Sequence, residues 1–273
     1  MNRKVGFIGL GNMASAIIGG VTGADLISRS EIIGSARTLE TLDKATKELG
    51  ISTTTDNKAA AAAEKLVFLC VKPKNIPEVI EEIKDVVKDD VLIISIAAGV
   101  TLDKLGEAFG RKLKIVRVMP NIAALVGSGM SGISANKNVS EDELNYVTDI
   151  FNCLGHAHIV KEQDMDVVTS LAGGGPAFVA MFIEALADGA VADGMHRDDA
   201  YEFAARTVQG AAKMIARTGM HPGELKDKVC SPGGTTIEGT IVLEKNNFRG
   251  ATIDAVRACT KKSRDMASAH TSH

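Results

Sequence analysis

The sequence predicts an α/β protein in two parts: a doubly wound parallel sheet over residues 1–162, then an all-helical domain over residues 163–273. Three observations carry this. The 273 residues exceed the ~150 typical of a single domain, so each part has enough chain to bury a core of its own. Up to about Val160, short apolar runs alternate with amphipathic stretches, the pattern of repeated βαβ units. Beyond Gln163 the strand-like runs stop and Ala-rich helical segments take over.

The elements follow in order. Strands are expected at 4–8, 31–35, 66–71, 91–96, 114–119, 132–135 and 156–160, several of them continuous Val/Ile/Leu/Phe runs of the kind covered on both faces of a sheet. Helices are expected at 14–21, 39–49, 76–87 and 144–153, where apolar residues recur at three and four positions. Ser140 with Glu143 reads as a capping box opening the last of these. In the second half, helices are expected at 165–171, 177–192, 197–218, 221–229, 235–244 and 252–269. The stretch 178–192 is apolar around most of its circumference, with Met181, Ile183, Leu186 and Val191 among its residues. Such a helix needs cover on several sides. Packing against a second copy provides it and predicts a homo-oligomer; a helix central to a monomeric bundle is the alternative.

Composition excludes several classes. Hydrophobic residues at 45% and charged residues at 24% are too apolar a mixture for disorder. A net charge of -3, with no Trp and 2 Tyr, offers neither phosphate neutralisation nor stacking surface, so no nucleic-acid partner is expected. The cysteines Cys70, Cys153, Cys230 and Cys259 are too scattered for a zinc site or redox pair and read as reduced thiols; no metal is expected. The N-terminus lacks a secretory apolar region, and charged or Gly-rich clusters interrupt every apolar stretch before the ~18 residues of a membrane span. A soluble, cytoplasmic protein is expected.

The first strand leads into Gly9-Leu10-Gly11-Asn12-Met13-Ala14, a G-x-G-x-x-A fingerprint followed by a helix, which makes the first part a Rossmann-like dinucleotide-binding domain. Gly9 permits the tight turn, Gly11 lets backbone approach a pyrophosphate, and the helix N-terminus offers unpaired N–H groups. Ile8, Asn12 and Met13 join the candidate cofactor-binding residues. An acidic residue at the end of the second strand would favour NADH, and none stands there; the strand ends in Ser35-Ala36-Arg37. Arg37 is suited to a 2′-phosphate and Ser35 to a hydrogen bond with it, so NADPH is the expected cofactor and NADH the alternative. Asn57 and the turns Val71-Lys72-Pro73 and Ala97-Ala98-Gly99, which follow later strands, complete this side of the site, with an exposed loop lysine as the alternative for Lys72; Asn121 is a further contact, of the nicotinamide or of nearby backbone.

Two more segments carry signal. Arg117-Val118-Met119-Pro120-Asn121 follows a strand, and His221-Pro222-Gly223-Glu224-Leu225 leads to Ser231-Pro232-Gly233-Gly234-Thr235-Thr236. Gly233 and Gly234 form a bare turn before a helix, an arrangement suited to a carboxylate; a plain helix cap at these Ser and Thr residues is the alternative. His221, just before Pro222, reads as a helix start rather than a catalytic group.

Together with Gly6 to Met13, Cys70-Val71-Lys72-Pro73, Gly174-Gly175-Pro176-Ala177-Phe178 and Leu243-Glu244, these segments resemble pyrroline-5-carboxylate reductase in order and spacing across essentially the whole chain. The resemblance implies NAD(P)H-dependent reduction of 1-pyrroline-5-carboxylate to L-proline, the last step of proline biosynthesis. It implies that Ser231, Gly233, Gly234, Thr235 and Thr236 bind the substrate, with Thr236 hydrogen-bonding the ring nitrogen as the catalytic candidate. It also implies a dimer of intertwined helical domains with a site shared between subunits, built in some members into rings of dimers. Rival readings are another two-domain reductase acting on an imine or a β-hydroxyacid, and a non-catalytic dinucleotide-sensing scaffold.

Overall fold

The computed structural model describes residues 4–269, which form two compact units. The first, the sheet unit, runs to Gly173 and takes back the chain from Cys259; the second, the helical unit, is Gly174–Ala258.

The sheet unit contains β1 (Val5–Ile8), α1 (Asn12–Gly23), β2 (Ile32–Ser35), α2 (Leu39–Leu49), β3 (Ser52–Thr54) and α3 (Asn57–Ala61). It continues through β4 (Leu66–Leu69), α4 (Ile76–Ile83), β5 (Leu92–Ser95), α5 (Leu102–Phe109), β6 (Lys114–Met119), β7 (Gly129–Ala135), α6 (Glu141–Asn152), β8 (Gly155–Ile159) and α7 (Met165–Val168). The strand order is β3-β2-β1-β4-β5-β6-β7-β8. The chain therefore reverses direction across the sheet between β1 and β4, and the crevice at their carboxyl ends is where an open α/β sheet takes a ligand.

Period two governs the packing. In β1 and β4, Val5, Phe7, Leu66 and Phe68 face one core, while Ile8, Val67 and Leu69 face the other. Phe7 and Phe68 stack with ring centroids 4.4 Å apart. Both faces are buried, which is why these strands read as unbroken apolar runs.

Two features depart from the sequence reading. β3 is an edge strand of three half-exposed polar residues, Ser52, Thr53 and Thr54, paired only to β2, so it carries no apolar signal. β7 runs antiparallel to β6 although the other strand pairs are parallel. The connection between them holds only a 3-10 turn, Ile122–Val126, and is too short for the crossover that parallel pairing requires. The Ser140–Glu143 capping box is present, with Ser140 Oγ accepting from Glu143 N at 3.3 Å and Glu143 Oε2 accepting from Ser140 N at 2.9 Å.

The helical unit comprises α8 (Gly175–Ala192), α9 (Arg197–Thr218), α10 (Pro222–Val229), α11 (Thr235–Lys245) and the first half of α12 (Phe248–Ala269). The far half of α12 belongs to the sheet unit: Thr260 Oγ1 donates to Ser170 Oγ at 2.8 Å, Ser263 Oγ donates to Asp166 Oδ1 at 2.7 Å, and Lys104 Nζ donates to Ala267 O. These contacts join residues far apart in the chain and are invisible to helical periodicity.

One expectation is corrected. The continuous helical run Glu162–Ala192 is long and apolar enough to cross a membrane by length and composition, and little of it is buried. Glycines 173–175 do not interrupt the helix, because a π-helical segment, Thr169–Gly174, carries the chain from α7 into α8.

Candidate active site

At the carboxyl end of β1 the backbone turns at Gly9, with φ +93°, and Gly9 N donates to Ser35 O at 3.0 Å. A Cβ here would lie 2.7 Å from Cys70 O, so only glycine fits between β2 and β4. Gly11 differs: a Cβ on it would meet no atom within 4 Å, leaving bare backbone on open space at the start of α1. No side chain caps α1 and its first turn holds no acidic residue, so its leading N–H groups and positive end are free for an anion. This cradle fits a dinucleotide pyrophosphate.

The second strand ends as its residues suggested, with one rearrangement. Ser35 is 0% exposed and its hydroxyl donates to Asn57 Oδ1 at 2.7 Å, so it orients Asn57 rather than reaching a phosphate itself. Asn57 Nδ2 in turn donates to Glu82 Oε2 at 2.7 Å. Glu82, on α4, is an acidic group beside the end of β2 that no spacing rule announces, because it comes from a different element. Arg37 is exposed and, among the described residues, makes no ion pair.

Val71, Lys72 and Pro73 follow β4, with Lys72 exposed at the cap of a 3-10 turn. Ala97, Ala98 and Gly99 follow β5, and Gly99 has φ +74°. Cys70 precedes the first of these turns; burial pushes its thiol well above the ordinary value, which leaves it unreactive. All four cysteines are unpaired. Asn121 lies at the end of β6, but its carboxamide is engaged by protein: Nδ2 donates to Ala172 O at 3.0 Å and Oδ1 accepts from Met130 N at 3.1 Å.

Glu162 escaped sequence reasoning, since nothing local marks it. Its Oε1 accepts from the buried Arg117 at 2.9 Å and from Leu102 N at 3.1 Å, tying β6 to the start of α5. Its Oε2 is buried with no partner among the described residues.

In the helical unit, Ser231 to Gly234 form a tight turn in which Gly234 N donates to Ser231 O at 3.0 Å. Pro232 and Gly233, with φ +66°, occupy its centre as a type II turn requires. α11 begins at Thr235 with no side-chain cap, and Ser231, Gly233, Thr235 and Thr236 are all exposed. The turn therefore presents uncapped N–H groups beside two hydroxyls, the donor set a carboxylate needs. His221 is a cap: its Nδ1 accepts from Gly223 N at 3.1 Å.

The family model for pyrroline-5-carboxylate reductase dimerisation matches residues 162–266, and a model described as NADP oxidoreductase coenzyme F420-dependent matches residues 4–99. A pyrroline-5-carboxylate reductase from Escherichia coli (strain K12) is 43% identical over 266 residues, 97% of this chain and 99% of that protein. This chain belongs to the pyrroline-5-carboxylate reductase family. The namesake from Methanosarcina acetivorans is 44% identical over 97% of this chain and 98% of its own length. The solved pyrroline carboxylate reductase of Plasmodium falciparum, which has NADP bound, superimposes with a TM-score of 0.87 at 36% identity, covering 97% of this chain and 98% of that one. That of Coxiella burnetii reaches 0.90 at 34% identity, covering 97% and 99%. Family membership makes the chain an NAD(P)H-dependent oxidoreductase of proline biosynthesis, with NADPH as its cofactor and a dimerisation domain in its helical half.

Proposed function

We propose that the sheet unit holds NADPH and that the turn Ser231–Gly234 with Thr235 and Thr236 holds 1-pyrroline-5-carboxylate. The observation that carries this is the uncapped start of α11 behind Gly233. Backbone N–H groups of Gly233 and Thr235 bind the substrate carboxylate, supported by Ser231, while the Gly234 N–H holds the turn closed on Ser231 O. Thr236 accepts or donates a hydrogen bond at the ring nitrogen and fixes the ring face. The dinucleotide, when bound, supplies a hydride to the imine carbon. The imine nitrogen is basic enough to be protonated in water, so placement of the ring, rather than a strong protein acid, is what the site contributes.

Gly9, Gly11, Asn12 and Met13 bind the pyrophosphate side, with Ile8, Val71, Lys72, Pro73, Ala97, Ala98 and Gly99 along the crevice. Arg37 pairs with the 2′-phosphate, and Asn57, oriented by Ser35, meets the ribose. The chain works as a homodimer at least, with rings of dimers as the larger assembly, in the cytoplasm and without membrane or nucleic acid. The apolar run 162–192 is read as surface covered by a second copy. Residues 1–162 serve the cofactor and 163–273 serve substrate and dimerisation.

The test is oxidation of NADPH with 1-pyrroline-5-carboxylate, repeated with NADH, with the six-membered homologue and with β-hydroxyacids. Wild type is expected to turn over the five-membered ring best, and Thr236→Ala to lower kcat/KM by at least ~10-fold, the usual scale for one lost orienting contact. An unchanged kcat/KM in that variant refutes the role given to Thr236, and no oxidation with any cyclic imine acid refutes the function.

A further inference from the structure

Asn121 behaves oddly for its position. It stands at the N-cap of the 3-10 turn Ile122–Val126, where asparagine ordinarily caps its own turn, yet it makes no such bond. Its carboxamide reaches instead to Ala172 O, 51 positions away, and to Met130 N. The partners fix its orientation, since a carbonyl needs the NH2 end and an N–H needs the oxygen.

The far partner explains the reach. In an α-helix the carbonyl of Ala172 would accept from the N–H of residue 176, and Pro176 has none. The carbonyl lies in the π-helical segment Thr169–Gly174, a type of widened turn concentrated at functional sites. Pro176 cannot serve this carbonyl with an i+4 bond, and Asn121 Nδ2 donates to it from the end of β6. Beside it, a Cβ on Gly173 would fall 2.8 Å from Met119 Cε, so the end of β6 lies close against Ala172 and Gly173.

We propose that Asn121 is a positioning residue for hydride transfer: it ties the Ala172 carbonyl of the π-helical segment to the ligand-facing end of β6 and the start of β7, and it does not bind the dinucleotide. This rests on the imine reductase reading above. Both ends of the carboxamide are turned toward protein partners, Ala172 O and Met130 N. Loss of the tie lets the carboxyl end of β6 and the π-turn drift, and a displacement near 1 Å lowers turnover by up to ~100-fold.

The experiment is a cycle of Asn121→Ala, Pro176→Ala and the double variant, with Asn121→Asp as a version that keeps the acceptor for Met130 N and sets a carboxylate oxygen against Ala172 O in place of the donor. Dissociation constants for NADPH, kcat, KM for the imine acid and Tm are measured for each. Asn121→Ala and Asn121→Asp are expected to lower kcat by ~10-fold or more while NADPH affinity stays within ~2-fold. Adding Pro176→Ala restores a backbone N–H at 176 and is expected to recover most of the loss in the Asn121→Ala background. A tenfold weaker NADPH affinity at unchanged kcat, or no recovery on restoring the 176 N–H, overturns the proposal. If wild type reduces no imine, the functional reading fails by itself, and recovery of Tm in the double variant still decides the tie between Asn121 and Ala172.

Discussion

The two units bury apolar residues in opposite ways. In the sheet unit, Phe7, Ile8, Phe68, Leu69, Ile93 and Ile94 are fully enclosed on two faces of one sheet. In the helical unit the enclosed cluster is three alanines, Ala187, Ala200 and Ala204, while Met181 and Phe203 are 68% and 66% exposed. Val242, Leu243, Phe248 and Ile253 are also open. A doubly covered sheet completes its own core within one chain. A single layer of helices cannot, and apolar area of this extent marks an interaction surface. The family model for dimerisation covers these helices, which fits the reading of this surface as the place where a second copy packs.

The sharpest test separates the two kinds of core. Phe68→Ala is expected to cost about 3–5 kcal/mol in chemical denaturation, independent of protein concentration, because it opens a cavity against Phe7. Met181→Asp leaves the sheet unit intact and is expected to weaken self-association by ~100-fold or more, since a charge replaces an apolar contact. Light scattering would detect this, and a monomeric wild type with full activity would break the comparison outright.

Smaller effects belong to the sheet unit. Arg37→Ala is expected to change the ratio of KM for NADPH to KM for NADH by about 10-fold, the worth of one charge-assisted contact, without altering association; an unchanged ratio removes Arg37 from cofactor choice. Ser140→Ala is expected to cost about 1 kcal/mol through loss of the α6 cap.

A pH profile sharpens the same corner. Partial burial alone would raise the Glu143 carboxyl, but hydrogen bonds from Lys114 and Ser140 outweigh it and hold the group below its ordinary value. Its stabilisation is therefore full above the ordinary carboxylate range and lost as pH falls through the folded value. Glu143→Gln is expected to flatten the acid limb of Tm against pH, and an identical limb would count against the Lys114 contact.

The helices at 39–49 and 197–218 stood in the sequence with the bounds the fold gives them, and the fingerprint 9–14 and the turn 231–234 were legible too. Each rests on contacts between near neighbours: helical period, glycine at positive φ, proline at the head of a turn. β3, the antiparallel course of β7, and the chain Ser35–Asn57–Glu82 were not legible. Neither were the particular backbone partners of Asn121, which the sequence offered as a contact of the nicotinamide or of nearby backbone and the fold engages with Ala172 O and Met130 N. These join residues many positions apart, and no local pattern records which partner a polar side chain will find. The sequence by itself determined where the chain bends, coils and bares its backbone to anions. Only the tertiary structure decided which polar groups meet, because those pairings follow from the order and direction of strands and are set when the sheet closes.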